Sequence, residues 1–291
     1  MNIVKHLPTY PESLSDAHLA QFEAQGYLAF TDVLSADEVS AINESKKQLC
    51  VEMVKGIDTG RCKLEYAKRG NAKTCIVQDK NSPLLVQFEA SVDINTLKEG
   101  ELFQSYRKLM YAIDASETFV RLKTHPKLTA MRDALLGPDS IYFQDMALSK
   151  PAFIGTEKPW HQDNAYFQYA PLQDILGIWI ALDDATIDNG CMQVIPTPRH
   201  QLDAFKHEHI MDCDITDADL DKRKALAIEI PAGGAMFFFG MLPHHSAPNR
   251  SCKSRRALQL HYRGAHTTKL DPTAYGTLFK TRNGTPAACG T

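Results

Sequence analysis

Apolar positions in the first 140 or so residues recur mostly at helical spacing, whereas later ones gather in short β-rich runs. Ser15 precedes a segment that carries Leu19 and Phe22 on one side and stops at Gly26. Ser35-Ala36-Asp37-Glu38 makes a capping box ahead of Val39, Ile42 and Leu49, so two N-terminal helices are expected, with YLAFTDVL between them as a short strand. Leu102, Phe103, Tyr106, Leu109, Met110 and Ile113 fit an amphipathic helix. Pro126 to Leu136, with proline at its start and Gly137 past its end, fits another. Residues 56–95 hold Gly56, Gly60 and Gly70 amid mixed charge without a clear period, and a long loop region or irregular strands facing substrate is expected there.

From residue 140 the runs SIYFQDMALSK, LGIWIALDD, CMQVIP, LAIEIP, AMFFFGML and RRALQLHYRG are separated by glycine and proline, not by helical patterns. That spacing points to a sandwich or barrel and away from βαβ units. The expectation is an α+β, mainly β fold: an antiparallel double sheet packed by N-terminal helices. The 291 residues are read as a single domain, with a mainly helical part over 1–139 that includes the 56–95 insert, a β core over 140–266 and a tail over 267–291.

Composition narrows the class. Lys and Arg number 32 against 35 Asp and Glu, for a net charge of −3, and no basic run offers a track for phosphates, so no nucleic-acid partner is expected. The longest apolar stretches, such as Met236-Phe237-Phe238-Phe239, fall far short of the ~20 residues of a bilayer span, and MNIVKHLPTYPE lacks the apolar region of a signal peptide. The seven cysteines are scattered and form no CxxC, against a disulfide framework or zinc ribbon. A cytoplasmic protein acting on a small molecule, without a membrane partner, is expected; oligomeric state is not legible.

The chemistry lies in two segments. KPWHQDNAYF sets His161 and Asp163 two residues apart, and on a strand such positions share a face and converge on one ion. PHHSAPNRSCKSRR follows the hydrophobic strand AMFFFGML and supplies His244 and His245, then Ser246, Asn249, Arg255 and Arg256. Two histidines and one carboxylate make the facial triad of non-haem Fe(II) oxygenases, leaving positions that a bidentate 2-oxo acid and O2 fill. His207-Glu208-His209 is another alternating pair but lies in a charged stretch and reads as a solvated loop. No GxSxG, Walker A or GxGxxG occurs.

At these residues the chain resembles the phytanoyl-CoA dioxygenase family of Fe(II)/2-oxoglutarate oxygenases, whose pattern is His-x-Asp, a distal His in a context like H-x-S-x-x-N, and an Arg eleven residues beyond it. Counting Ser246 and Asn249 selects His244 over His245 as the distal ligand and puts the arginine at Arg255. The resemblance runs from GYLAFTDVLSADEV through WHQDNAYFQYAPL and LGIWIALDDATIDNGCMQVIP to the distal motif. It implies a double-stranded β-helix (jelly-roll, cupin-like) core, a catalytic metal triad of His161, Asp163 and His244, and Fe(II), 2-oxoglutarate and O2 as cofactor and cosubstrates. It further implies that Arg255 grips the far carboxylate of 2-oxoglutarate. Ser246 and Trp179 would line the cosubstrate with Gln144 and Met146 nearby, and Arg107 or Lys108 would be a further contact. The implied reaction is hydroxylation of a small-to-medium organic substrate, with desaturation or ring formation as variants and with loss of CO2 from 2-oxoglutarate to give succinate. Because halogenating relatives replace the carboxylate with Gly or Ala, Asp163 speaks against chlorination.

Asn164, Tyr166 and Phe167 directly follow the metal motif and are expected to face substrate, as are His245 and His261. On β alternation, Arg255, Ala257, Gln259 and His261 share one face, and Gln144, Met146 and Leu148 share another strand's face. Two rivals remain: a metal-dependent hydrolase or isomerase on a cupin-like barrel, and a catalytically silent binding protein of the same fold. A hydrolase has no need of Arg255 at that spacing, and a silent member would tend to have lost part of the set.

Overall fold

The computed structural model describes residues 2–279 apart from 70, 91, 209–211, 217 and 219. After β1 (Asn2–Val4), Ser15 caps α1 (Asp16–Gln25), and Gly26 ends it at φ 78°. A Cβ on Gly26 would lie 2.5 Å from both the Phe239 ring and the Thr197 carbonyl, so the turn into β2 (Tyr27–Phe30) needs glycine for its backbone and for the close approach. The Ser35–Glu38 capping box opens α2 (Ala36–Asp58), which buries Val39, Ile42, Leu49 and Met53.

There follow β3 (Cys62–Arg69), β4 (Ala72–Asp79), β5 (Leu85–Phe88), α3 (Glu99–Leu102), β6 (Tyr106–Met110), α4 (Glu117–Leu122) and α5 (Pro126–Leu136). The second half holds β7 (Ile141–Lys150), β8 (Lys158–His161), α6 (Asn164–Phe167), β9 (Tyr169–Ala170), β10 (Ile175–Ala181), β11 (Met192–Val194), β12 (His207–Glu208) and β13 (Asp214–Ile215). It closes with β14 (Leu226–Ile228), β15 (Ala235–Phe239), β16 (His244–Ser246), β17 (Arg255–Arg263), β18 (Thr268–Lys269) and α7 (Pro272–Leu278).

A nine-stranded sheet has the order β2-β15-β10-β17-β7-β6-β5-β4-β3, and a five-stranded sheet the order β1-β14-β11-β16-β8. Pairing in both is antiparallel except for β1 with β14. Helix α2 packs on β3 to β6 and α5 on β10, so helices cover the outer face of the large sheet and leave its inner face toward the small one. The fold is a double-stranded β-helix, as expected. Strand β10 is buried along its whole length, which is why ILGIWIA reads as a continuous apolar run and not an alternating one. No described helix is long and apolar enough to cross a membrane.

Two readings of the first half need correction. Residues 102–113, read as a helix, form only the end of α3 and then β6. Tyr106, Leu109 and Met110 are all buried because β6 lies between α2 and the interior, and a strand buried on both faces imitates helical spacing over so short a length. Residues 56–95, left open between a long loop region and irregular strands, are regularly paired strands: after the end of α2 they build β3, β4 and β5 and extend the large sheet. Their outer strand β3 is largely exposed, so Lys63, Glu65 and Lys68 blur its pattern. The part over 1–139 therefore carries β1 to β6 beside its helices, and helix still holds more of its residues. Of the cysteines, Cys50, Cys62, Cys75, Cys191 and Cys252 are free thiols, while Cys213 is disulfide-bonded.

Candidate metal and cosubstrate site

His161 ends β8 and His244 begins β16, and the two are directly paired across the antiparallel ladder. Asp163 lies beyond the strand, with a helical backbone (φ −59°, ψ −35°) at the start of α6. The carboxylate thus reaches the histidines through a turn and not through strand alternation, which corrects the sequence argument while leaving the same residues together. Ligand atoms of the three lie within 4.8 Å of one another. Asp163 Oδ1 stands 3.4 Å from His161 Nε2 and 3.5 Å from His244 Nε2. Each imidazole turns its Nδ1–H to a backbone carbonyl, Pro159 at 2.8 Å and Leu242 at 3.0 Å, which leaves both Nε2 lone pairs aimed at Oδ1.

Burial, joined by the nearby His244, holds His161 well below the usual imidazole range. Burial also lowers His244, against the opposing pull of Asp163. Burial alone would raise Asp163, but the contacts with His244, His161 and His261 outweigh it and keep the carboxylate ionised. Neutral imidazoles and an ionised carboxylate are the states a divalent metal requires, so the donor set fits one.

The second carboxylate oxygen is engaged elsewhere. Gln259 Nε2 donates to Asp163 Oδ2 at 3.0 Å, and His261 Nε2 lies 3.1 Å from the same atom, leaving Oδ1 alone for a metal. Gln162, between the ligands, holds the turn. Its Nε2 donates to the carbonyls of Asp203 (2.8 Å) and Met241 (2.7 Å), its Oε1 accepts from Phe205 N–H (3.0 Å), and its own N–H donates to His207 Nε2 (3.1 Å). His207 is therefore buried structure and not part of a solvated loop, with its pKa pushed down to about 4 by burial. His209 lies outside the described residues.

A cavity of about 600 Å³ opens over the triad, lined from both sheets. At one end Arg255 begins β17, buried, with its guanidinium 5.4 Å from the Trp179 ring centre. Arg255 Nε and Nη1 and Trp179 Nε1 are buried without a hydrogen-bond partner among the described residues. Burial draws Arg255 down to about 10, still charged at neutral pH. Ser246 on β16, Gln144 and Met146 on β7, and Met192 on β11 line the same cavity. Unpaired buried donors are costly to leave unmade, and a carboxylate ligand answers them.

Tyr166, Phe167 and His245 also reach the cavity wall. The Tyr166 hydroxyl accepts from Lys158 Nζ and from Cys213 N–H. His245 Nε2 lies 2.8 Å from Glu157 Oε1, and its ring stacks on Trp160 at 5.2 Å. Asn164 and His261 are not among the lining residues: the Asn164 amide clasps the Tyr169 backbone (2.8 and 3.0 Å), and His261 stands behind Asp163 against Phe167. Both expected substrate contacts thus lie outside the cavity lining. Ile76, Pro83 and Leu85, from the 56–95 segment, form an apolar wall. Beside it Arg69, Arg107 and Lys158 gather on Asp212 at 2.9, 3.4 and 3.7 Å. Lys108 also lines the cavity, with burial and then Lys158 lowering it to about 7.

Sequence reasoning assigned no role to Gln162, Gln259, His207, Lys150, Lys158 or Asp212. The alternation along β17 did place Gln259 on the Arg255 face, and Gln162 and Lys158 lie within KPWHQDNAYF itself; His207, Lys150 and Asp212 come from distant segments and carry no local signal.

The family model described as phytanoyl-CoA dioxygenase (PhyH) matches residues 22–257. The chain is 26% identical over 279 residues to the phytanoyl-CoA dioxygenase domain-containing protein 1 of Danio rerio, covering 89% of this chain and 93% of that protein. Among solved structures it is similar to the non-haem α-ketoglutarate-dependent carbocyclase SnoK from nogalamycin biosynthesis, with TM-score 0.63, 21% identity, and 96% and 95% of the two chains covered. It is also similar to EctD from S. alaskensis, solved with 2-oxoglutarate and 5-hydroxyectoine, with TM-score 0.61, 21% identity, and 98% and 89% covered. At these identities the structural likeness shows the fold.

Proposed function

The chain belongs to the phytanoyl-CoA dioxygenase family, and on that premise we propose that it is a 2-oxoglutarate-dependent non-haem Fe(II) dioxygenase that hydroxylates a small-to-medium organic substrate within a single domain. One observation carries the reading: the same cavity holds the His161, Asp163 and His244 donors and a buried guanidinium, Arg255, with two unpaired nitrogens. Iron, 2-oxoglutarate and O2, when bound, supply the oxidising chemistry, and 2-oxoglutarate leaves as succinate and CO2.

The protein's part is to bind, orient and exclude water. His161, Asp163 and His244 hold the metal, with Asp163 offering Oδ1 because Gln259 and His261 occupy Oδ2. Arg255 takes the distal carboxylate, the Ser246 hydroxyl and Trp179 Nε1–H add hydrogen bonds, and Gln144 and Met146 border the carbon chain. Of Arg107 and Lys108, the latter is the further cosubstrate contact, since Arg107 is spent on Thr156, Glu89 and Asp212 while Lys108 has no ion pair among the described residues. Tyr166, Phe167 and His245 face substrate opposite the Ile76 and Leu85 wall. A carbocyclase on the same fold shows that ring formation is a chemistry of this scaffold; hydroxylation is the reading put forward here.

The test is an anaerobic titration of metal-free protein with Fe(II) and then 2-oxoglutarate, watching the visible charge-transfer band of a chelated 2-oxo acid. A band that appears only when both are present supports the reading. Metal binding without the band overturns it.

A further inference from the structure

Lys150 ends β7 on the face that carries Gln144, Met146 and Leu148 into the cavity, and it is directly paired with Arg255 on β17. Lys150 is 4% exposed and Arg255 3%. Like charges directly opposite on one face of an antiparallel pair repel, and burial removes the water that would screen them. The neighbouring acids are each engaged by another group. Asp183 is held by Arg256 on the outer face, Glu89 by Thr156 and Arg107, and Glu157 by His245. Lys150 Nζ donates to the carbonyls of Thr156 (2.6 Å) and Ser246 (3.2 Å), which leaves its third N–H without a partner among the described residues.

The lysine is also seated for its place. A Cβ on Gly155 would come within 2.7 Å of Lys150 Cα, and one on Gly190 within 2.9 Å of Lys150 Cδ, so two glycines make room for its backbone and stem. Through the Ser246 carbonyl the same ammonium steadies a strand that begins with the metal ligand His244.

From this pair of facing, buried basic groups we infer that Lys150 is a second anchor of the cosubstrate, gripping with Arg255 the distal carboxylate and selecting 2-oxo diacids over 2-oxo monoacids. The inference rests on the reading of the cavity as a 2-oxo acid site. A carboxylate set between guanidinium and ammonium converts their repulsion into two charge-assisted contacts. A monoacid leaves the pair unanswered and turns a methyl group toward it.

The experiment titrates the Fe(II)-loaded protein anaerobically with 2-oxoglutarate and, separately, with 2-oxobutyrate, in wild type, Lys150→Met and Lys150→Arg. In wild type 2-oxoglutarate binds more tightly. The methionine variant is expected to weaken 2-oxoglutarate by about 10- to 100-fold while 2-oxobutyrate stays within about twofold, and arginine is expected to restore part of the loss. A lysine with a merely structural role would weaken both acids together. That result, or an unchanged affinity for 2-oxoglutarate, overturns the inference and leaves the oxygenase reading standing. A wild-type protein that gives no band with either acid overturns both. Should the methionine variant not fold, Lys150→Gln keeps two amide donors for the Thr156 and Ser246 carbonyls without the charge and allows the same comparison.

Discussion

His261 Nε2 stands 3.1 Å from Asp163 Oδ2, so the carboxylate of the triad is held from behind by a further histidine while its other oxygen faces His161 and His244. The contact divides the carboxylate's two oxygens between metal and protein. It also explains why His261, on the same strand face as Arg255, does not line the cavity.

Removing that support is expected to loosen the metal. His261→Phe, which keeps an aromatic ring beside Phe167, should raise the Fe(II) dissociation constant by about 10- to 100-fold, the usual effect of losing an outer partner of a ligand. A competition titration against a chelator measures it. Wild-type affinity in the variant would mean that the turn and Gln259 orient Asp163 unaided.

Asp163→Ala takes away the ligand itself and is expected to abolish substrate-dependent succinate formation. Undiminished succinate would remove Asp163 from the metal site and with it the triad.

Arg255→Ala should separate cosubstrate from metal. Loss of a charge-assisted bidentate contact costs about 1.5–3 kcal/mol, roughly 10- to 150-fold in 2-oxoglutarate affinity, while Fe(II) affinity stays as it was. Equal cosubstrate affinity in variant and wild type would move the clamp elsewhere. Arg256 is a poor substitute, because its guanidinium pairs with Asp183 on the outer face.

Lys46 predicts a pH dependence of stability that the active site does not cause. Fully buried on α2, with Asn43 Oδ1 at 3.2 Å and the Phe103 and Tyr106 rings nearby, it is brought down by burial, and then by Arg256, to about 7. Between pH 7 and about 10 the unfolded chain therefore binds a proton at Lys46 that the folded chain does not, and stability rises with pH across that window. Below pH 7 folding must bury the charge. Denaturant unfolding at pH 7 and pH 9 should show the wild type gaining stability, and Lys46→Met should be the more stable at pH 7 with a smaller pH difference. An equal pH difference in both proteins would assign the effect to other groups.

Much of the site was legible because its signals are local. His161 and Asp163 are two residues apart, and His244, Ser246, Asn249 and Arg255 lie within one short segment, so the resemblance to the family pattern could be matched on them residue by residue. The β runs after residue 140 were legible for a related reason, since glycine and proline mark their ends. Strand β6 was not, because burial on both faces erased its period of two. Asn164 was misplaced because adjacency in sequence does not fix direction: the turn of α6 points its amide at the Tyr169 backbone instead of the cavity.

By itself the sequence supplied the two short motifs that hold the triad and the arginine, matched through the family resemblance, and the strand runs beside them, since each is written in residues close along the chain. The tertiary structure alone decided what completes those groups. Gln259 and His261 reach Asp163 across 96 and 98 residues, Lys150 meets Arg255 only because β7 pairs with β17 in one register, and β4 and β5 become a cavity wall only when the large sheet extends over the site. Those contacts depend on strand order and register, which arise from how two sheets share one core and leave no periodic trace in either segment.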